Sequence, residues 1–67
     1  MKRFSHRKGR YISSARIDAF IEDLVKVCQS HGMSLGHEDS HGAFIVHRMN
    51  DENLKWLRAA QAGDVEE

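Results

Sequence analysis

A β-hairpin is predicted by the run MSLGHEDSHGAFIVH, residues 33–47, and we expect the rest of the fold to be arranged around it. Residues 33–35 alternate in part, and residues 43–47 are rich in β-branched and aromatic side chains, which is typical of strands. The residues between Glu38 and Gly42 favour a turn, because Asp and Ser bond their own backbone and Gly accepts a positive φ. The second strand is apolar on both faces, so we expect it to be covered on both sides, in part by a partner subunit.

A long amphipathic helix is predicted before the hairpin, from about Ser14 to His31. Its apolar residues recur at three- and four-residue steps and form one stripe. They are Ile17, Phe20, Ile21, Leu24, Val25 and Cys28. Ser13 has the chemistry of an N-cap, and Gly32 suits the left-handed residue that ends a helix. Because Cys28 falls on the stripe, we expect a buried and inert thiol.

A second helix is predicted after the hairpin, over about residues 51–62. Asn50 caps it, and the carboxylates at its start suit the positive end of the helix dipole. Leu54 and Leu57 form its inner face, and Gly63 ends it.

The order of these elements defines the fold class. Residues 10–12 favour a short strand before the first helix, so the predicted order is (β)αββα. We therefore expect a small α+β domain in which a β-hairpin packs against two helices. A chain of 67 residues buries only about 60% of its unfolded surface, so we expect oligomerisation to complete the core.

Charge divides the chain into three parts. Residues 1–10 are interpreted as a basic flexible arm, residues 11–63 as a single α+β domain, and residues 64–67 as an acidic tail. The basic residues of the arm are Lys2, Arg3, Arg7, Lys8 and Arg10. Such an arm can bind the phosphates of nucleic acid, but the formal net charge of +0 argues against nonspecific duplex binding as the main function.

Cysteine usage and hydropathy bear on the compartment. The single cysteine, Cys28, excludes an internal disulfide and fits a reducing compartment. The sequence has no signal-peptide core and no apolar run near the roughly 20 residues that cross a bilayer. We therefore expect a cytoplasmic protein without a membrane partner.

The segment HEDSH, residues 37–41, concentrates the chemistry of the chain. It matches the His-Glu-x-x-His pattern of zinc proteases, in which a helix places both histidines on one face. Glycines and predicted strands flank the segment, so a helix is not expected and the match is interpreted as a coincidence. A metal site on the turn is the stronger form of this hypothesis, with His37, Asp39 and His41 as ligands and His31 or His47 as a further candidate. The protein would then be a small metal-binding protein or a metal-dependent hydrolase.

A turn that binds a ligand or partner is the interpretation we favour. Imidazoles, carboxylates and exposed amides offer donors and acceptors, and the glycines allow close approach to the backbone. Beside the turn, Arg48 and the basic arm could contact phosphates, while Trp56 or Tyr11 could stack on a base. The predicted ligand-binding residues are His37, Glu38, Asp39, His41, Arg48 and Trp56. No catalytic residue, metal or cofactor is predicted.

Two stretches resemble a group of small uncharacterised phage and prophage proteins. Residues 33–46 are similar to a Gly-Leu-Ser-x-x-His-Glu-Asp-x-His-Gly-Ala-Phe motif of that group, and residues 53–57 to its Asn-x-x-Trp-Leu helix. The resemblance covers about residues 12–60. It implies a phage origin and residence in the bacterial host cytoplasm, where small phage accessory proteins commonly act by stoichiometric binding.

The sequence therefore favours a non-enzymatic, homo-oligomeric phage accessory protein for host takeover or anti-defence. Two partners are weighed equally: a nucleotide-like signal that is sequestered between subunits, or a host protein that is blocked. One alternative is the metal-binding protein or metal-dependent hydrolase. A further alternative is a nucleic-acid-binding protein that uses the basic arm and Arg48.

Overall fold

The computed structural model describes residues 1–38, 40 and 42–65, and this part of the chain forms two β-hairpins and two helices. The elements are β1 (Lys2–Ser5), β2 (Arg10–Ser13), α1 (Ala15–His31), β3 (Met33–His37), β4 (Phe44–Arg48) and α2 (Asp51–Arg58). β1 pairs antiparallel with β2, and β3 with β4, as two separate sheets. The expected α+β class and the hairpin after the first helix are confirmed.

The N-terminal hairpin, residues 2–13, corrects the expectation of a basic flexible arm. β1 and β2 pair along their whole length, and Gly9 lies in the turn with a φ of 64°. Arg3 is buried, because its guanidinium reaches the carbonyl groups at the end of α2, where the helix dipole is negative. The strand predicted at residues 10–12 is present as β2, but it pairs with β1 and not with the second hairpin.

α1 has the predicted extent and a cap displaced by one residue. The side chain of Ser14, and not that of Ser13, accepts the N–H of Ile17 at 3.3 Å. Gly32 ends the helix with a φ of 67°, as predicted. Phe20 was expected on the buried stripe but is exposed, because the face that packs inward is narrower than the apolar stripe.

The core lies between the two helices. Its buried members are Ile21, Val25, Cys28, Leu54 and Leu57. The predicted burial of Cys28 and of the inner face of α2 is therefore confirmed. Neither helix of the described residues is long and apolar enough to span a membrane.

α2 ends at Arg58, before the predicted end at Ala62. Its start is as predicted, since the Asn50 side chain accepts the N–H of Asn53 at 2.8 Å. The helix stops early because the following residues are bonded to β1 instead of continuing the turn. The N–H of Ala62 donates to the carbonyl of Phe4 at 2.8 Å, and Ala62 is buried.

β4 is uncovered within the described part of the single chain, and the cover expected from a partner subunit stays a prediction. All five of its residues are exposed. Phe44 is 68% exposed and Val46 64%. The hydrophobic pattern was read correctly as a strand, but the described part of this chain does not supply its cover.

Candidate functional site

Three ring side chains meet at the turn end of the second hairpin. The register of β3 and β4 places His37 opposite Phe44, and Trp56 of α2 lies beside both. The ring centroids of His37 and Trp56 are 5.7 Å apart. Those of Phe44 and Trp56 are 6.1 Å apart, with the ring planes inclined at 68°. These separations are typical of favourable ring–ring contacts.

An open space beside these rings, which we call the aromatic hollow, has a volume of about 570 Å³. Its lining residues are His37, Phe44, Trp56, Leu57, Ala59, Ala60 and Gln61. Among the described residues, no Lys, Arg, Asp or Glu contributes to this lining. The volume lies within the range of small-molecule sites, about 300–1,000 Å³. The hollow can therefore take a planar apolar group, but its walls lack a charge to balance an anion.

A part-buried hydrogen-bonded pair of side chains holds α2 against the second hairpin. Asn53 Nδ2 donates to Ser34 Oγ at 3.0 Å, and the same hydroxyl donates to the carbonyl of Arg48 at 2.8 Å. Ser34 is buried, so these bonds are shielded from water. Because Trp56 lies one helical turn beyond Asn53, this anchor directs Trp56 toward the hairpin.

Gly36 allows a side chain to lie close against the backbone of β3. A Cβ at this position would lie 2.5 Å from Cδ2 of the His47 ring. His47 projects from the face of β4 opposite to Phe44, because side chains alternate along a strand. The imidazoles of His37 and His47 therefore lie on opposite faces of the hairpin.

The structure brings together some of the predicted site residues and separates others. His37 and Trp56 are in contact. Arg48 pairs with Met33 at the opposite end of the hairpin, about 13 Å along the strand from Phe44. The expectation that Arg48 lies beside the turn is therefore wrong for the single chain.

Glu38 supports the turn itself. Its Oε1 accepts the N–H of Ser40 at 2.6 Å, and its own N–H donates to the carbonyl of Ala43 at 3.1 Å. These bonds give the Glu38 carboxylate a structural contact in addition to the predicted ligand contact. Asp39 and His41, the other two predicted residues of the turn, lie outside the described residues.

The zinc-protease pattern does not begin in a helix. His37 is the last residue of β3, and Glu38 follows it without helical structure. Among residues 1–38, 40 and 42–65, no group of three His, Cys, Asp or Glu side chains is placed to hold a metal ion. The predicted site of His37, Asp39 and His41 includes two residues outside that part of the chain and stays a prediction.

An ion pair engages Arg3, which is one of the cations of the predicted phosphate-binding arm. Arg3 Nη2 lies 2.5 Å from Asp18 Oδ1, and the N-terminal amine lies 3.2 Å from Asp18 Oδ2. The hydrogen bond from Arg3, and then that from the N-terminus, hold the pKa of Asp18 below its usual range. Arg3 is therefore committed to the fold and is not free to contact nucleic acid.

Phe44 and Gln61 are site residues that the sequence did not reveal. Phe44 was interpreted as part of a covered strand, although its place immediately after the turn puts it opposite His37 in any hairpin of this register. Gln61 was expected to lie in a helix. Its Oε1 lies 2.5 Å from Nε2 of His6, a contact between distant parts of the chain that no local pattern signals.

Comparison of the chain with protein-family models, with curated proteins and with solved structures found no match. The resemblance to small phage proteins therefore remains an expectation from the sequence.

Proposed function

We propose that this protein is a non-enzymatic binding protein that holds the base of a nucleotide-like molecule in the aromatic hollow. The observation that carries this proposal is the convergence of His37, Phe44 and Trp56 on one open space. Aromatic side chains stack on nucleobases, and each such contact contributes about 1–3 kcal/mol.

The exposure of the rings supports the proposal. Phe44 and Trp56 are both exposed, Trp56 by 38%, although aromatic surface is stabilised by leaving water. A planar ligand would cover both rings, and Leu57 would contact it from the side of the core. Gln61 adds a polar edge, which could hydrogen-bond the edge of a base.

The biological role that we propose is sequestration. A protein that binds a signal molecule stoichiometrically lowers its free concentration without changing it chemically. Together with the resemblance to phage accessory proteins, this suggests host takeover or anti-defence in the bacterial cytoplasm as the setting.

Trp56 fluorescence tests the proposal directly, because Trp56 is the single tryptophan of the chain. We expect adenosine, guanosine, AMP or GMP to quench it saturably and to raise the midpoint of thermal unfolding. Phe44→Ser should weaken this binding about tenfold, since one stacking partner is lost. Tyr11→Ser is the matched control, because Tyr11 is 67% exposed on the other hairpin and should not affect binding. Unchanged fluorescence and an unchanged midpoint across the four compounds would contradict the proposal.

A host protein is a second candidate partner, favoured by the apolar surface of the second hairpin. Met33, Phe44 and Val46 are exposed and lie on one face of it. Exposed apolar patches of this kind mark protein interfaces. The immobilised protein should then retain one protein of a bacterial lysate in stoichiometric amount, and His37→Ala combined with His41→Ala should lose it. If the double variant retained the same lysate protein in the same amount, the turn would be excluded as the contact.

A further inference from the structure

The outer side of β4 is an unpaired strand edge in the described part of the chain. Bonds at both ends of the hairpin show which backbone groups face β3. Glu38 N–H donates to the Ala43 carbonyl at 3.1 Å, and Met49 N–H donates to the Gly32 carbonyl at 2.9 Å. Because bonded pairs alternate in an antiparallel ladder, the odd-numbered residues from 43 to 49 bond to β3.

The even-numbered residues of β4 therefore direct their N–H groups to the open side. These residues are Phe44, Val46 and Arg48. The carbonyls of Phe44 and Val46 also face outward, whereas the carbonyl of Arg48 already accepts a bond from the Ser34 hydroxyl at 2.8 Å. The edge thus offers donors along its whole length and acceptors over its first half.

The side chains of β4 leave this edge unprotected. Natural edge strands commonly carry a Lys, a Pro or a bulge that prevents pairing with a further strand. β4 instead presents Phe44, Ile45 and Val46, and its single formal charge is Arg48 at one end. Within the described residues, no ion pair or hydrogen bond holds the Arg48 guanidinium.

A second copy of the same strand fits this edge in one arrangement better than in others. In an antiparallel pair centred on Val46, the five residues of each strand overlap fully. The two copies of Val46 exchange a pair of hydrogen bonds, and each Arg48 N–H donates to the partner's Phe44 carbonyl. A parallel pair through the same edge would instead turn the partner strand over, so that its Arg48 would lie on the face opposite to Phe44.

We propose that two copies of this chain pair through β4, antiparallel about Val46, and that the partner's Arg48 completes the aromatic hollow. Residues directly opposite each other in an antiparallel sheet project to the same face. The resulting four-stranded sheet therefore has a row of His37, Phe44 and the partner's Arg48 on one face. The second part of this inference rests on the proposed function, whereas the dimer itself does not.

The partner's Arg48 supplies the charge that the hollow lacks in the single chain. Its guanidinium would lie beside Phe44, where it can stack on the face of the ring and hydrogen-bond a phosphate. A base in the hollow would then be joined to a phosphate at the subunit boundary. The inferred ligand class is accordingly a nucleoside monophosphate or a compound that contains one, and each dimer has two such sites.

Sedimentation velocity tests the dimer. The protein concentration should run from about 1 μM to about 1 mM, because a short strand edge buries less than the roughly 800 Å² per partner of a standard interface and should therefore associate weakly. We expect a reversible monomer–dimer equilibrium for the wild-type chain. Val46→Lys should remove the dimer by placing two ammonium groups at the two-fold axis, and Tyr11→Lys on the other hairpin should retain it. A chain that stays monomeric throughout, or a dimer lost in Tyr11→Lys and kept in Val46→Lys, would overturn the proposal.

Cross-linking tests the register. With a short bismaleimide reagent, Val46→Cys should cross-link to its own copy more efficiently than Ile45→Cys, because only Val46 lies on the proposed axis. The wild-type chain serves as the blank, since Cys28 is buried. More efficient cross-linking through position 45 would place the axis elsewhere and separate Arg48 from the hollow.

Complementation between two variants tests whether the site is shared. Arg48→Ala and Trp56→Ala should each bind AMP at least about tenfold more weakly than the wild-type chain, while adenosine binding should depend on Trp56 and little on Arg48. In a heterodimer of the two variants, the hollow of the Arg48→Ala chain receives an intact Arg48 from the other chain. Adding the tryptophan-free variant should therefore restore AMP-dependent quenching of the single Trp56, with about one quarter of the wild-type sites in an equal mixture.

The outcomes distinguish the two proposals. If AMP binds and the mixture restores nothing, the shared site is wrong while the proposed function stands. A dimer of the expected register that binds none of the four nucleosides and nucleotides would leave the interface in place and remove the proposed function.

Discussion

The two hairpins of this protein contrast in composition and in burial. The N-terminal hairpin carries most of the local charge, yet Arg3 is buried and bonded to Asp18 and to the end of α2. The second hairpin carries an apolar strand, yet all of β4 is exposed. The charge of Arg3 therefore serves the fold. The apolar surface of the second hairpin is free to serve binding.

Arg3→Met should strongly reduce stability, because Arg3 is the buried anchor of the first hairpin. Its Nη1 donates to the Ala60 carbonyl at 2.7 Å, and its Nη2 donates to Asp18 Oδ1 at 2.5 Å. Hydrogen bonds to charged groups contribute about 1.5–3 kcal/mol each, so we expect a loss of about 3 kcal/mol in the free energy of unfolding by urea. Arg10→Met, at an exposed position of β2, should change it by less than about 0.5 kcal/mol. Equal losses in both variants would show that Arg3 is no anchor.

Gly36→Ala should cost about 1–2 kcal/mol, because the new methyl group would meet the His47 ring at 2.5 Å. Removal of the ring should relieve the contact, so His47→Ala is expected to restore most of the loss in the double variant. Gly63→Ala is the control, since a Cβ there meets nothing within 4 Å. Additive effects of the Gly36 and His47 substitutions would contradict this packing of the second hairpin.

Acid should weaken the first hairpin through Asp18. The Arg3 hydrogen bond lowers the pKa of Asp18 in the folded chain. The stability that this contact contributes is therefore present above the usual carboxyl pKa of about 3.9 and is lost as pH falls through the lower folded pKa. Asp18→Asn should reduce the free energy of unfolding at neutral pH and should make its fall in acid less steep. Urea titrations at several pH values measure both effects. If the variant lost stability in acid as steeply as the wild type, other carboxylates would be responsible for that loss.

Val46→Lys should have the smallest effect on the stability of the monomer, although it is expected to abolish dimerisation. Val46 is exposed, so at concentrations below the dimer range the free energy of unfolding should change by less than about 0.5 kcal/mol. Ile12→Lys gives the comparison from the first hairpin, where the side chain is buried and a charge should prevent folding. A large loss in Val46→Lys at low concentration would mean that β4 is covered within one chain.

The sequence predicted the elements whose signals are local. The left-handed Gly32 and the Asn50 cap each depend on a few neighbouring residues, and both form as expected. Gly42 has a φ of 70°, the positive value that the sequence predicted for a glycine there. α2 ends early because of bonds to β1 at the other end of the chain, so no local pattern could predict its end. The charge of Arg3 likewise indicated exposure, and its burial depends on the carbonyl groups that α2 brings to it.

The candidate site was predicted less completely than the fold. His37 and Trp56 were named, and α2 brings them together. Phe44 was missed because an apolar strand residue is expected to be buried, and exposure depends on tertiary structure. Arg48 was assigned to the same site from nearness in sequence, although a strand separates it from the turn.

Residue-resolved amide hydrogen exchange by NMR, at several protein concentrations, tests the open edge of β4 most directly. We expect the protection of the Val46 and Arg48 amides to rise with concentration, because these N–H groups donate across the dimer axis. The outward amide of Phe44 should gain less, since its acceptor in the partner is already bonded to Ser34. Fast exchange of Val46 and Arg48 at every concentration, or an equal gain at Tyr11 of the first hairpin, would show that β4 does not pair with a second copy.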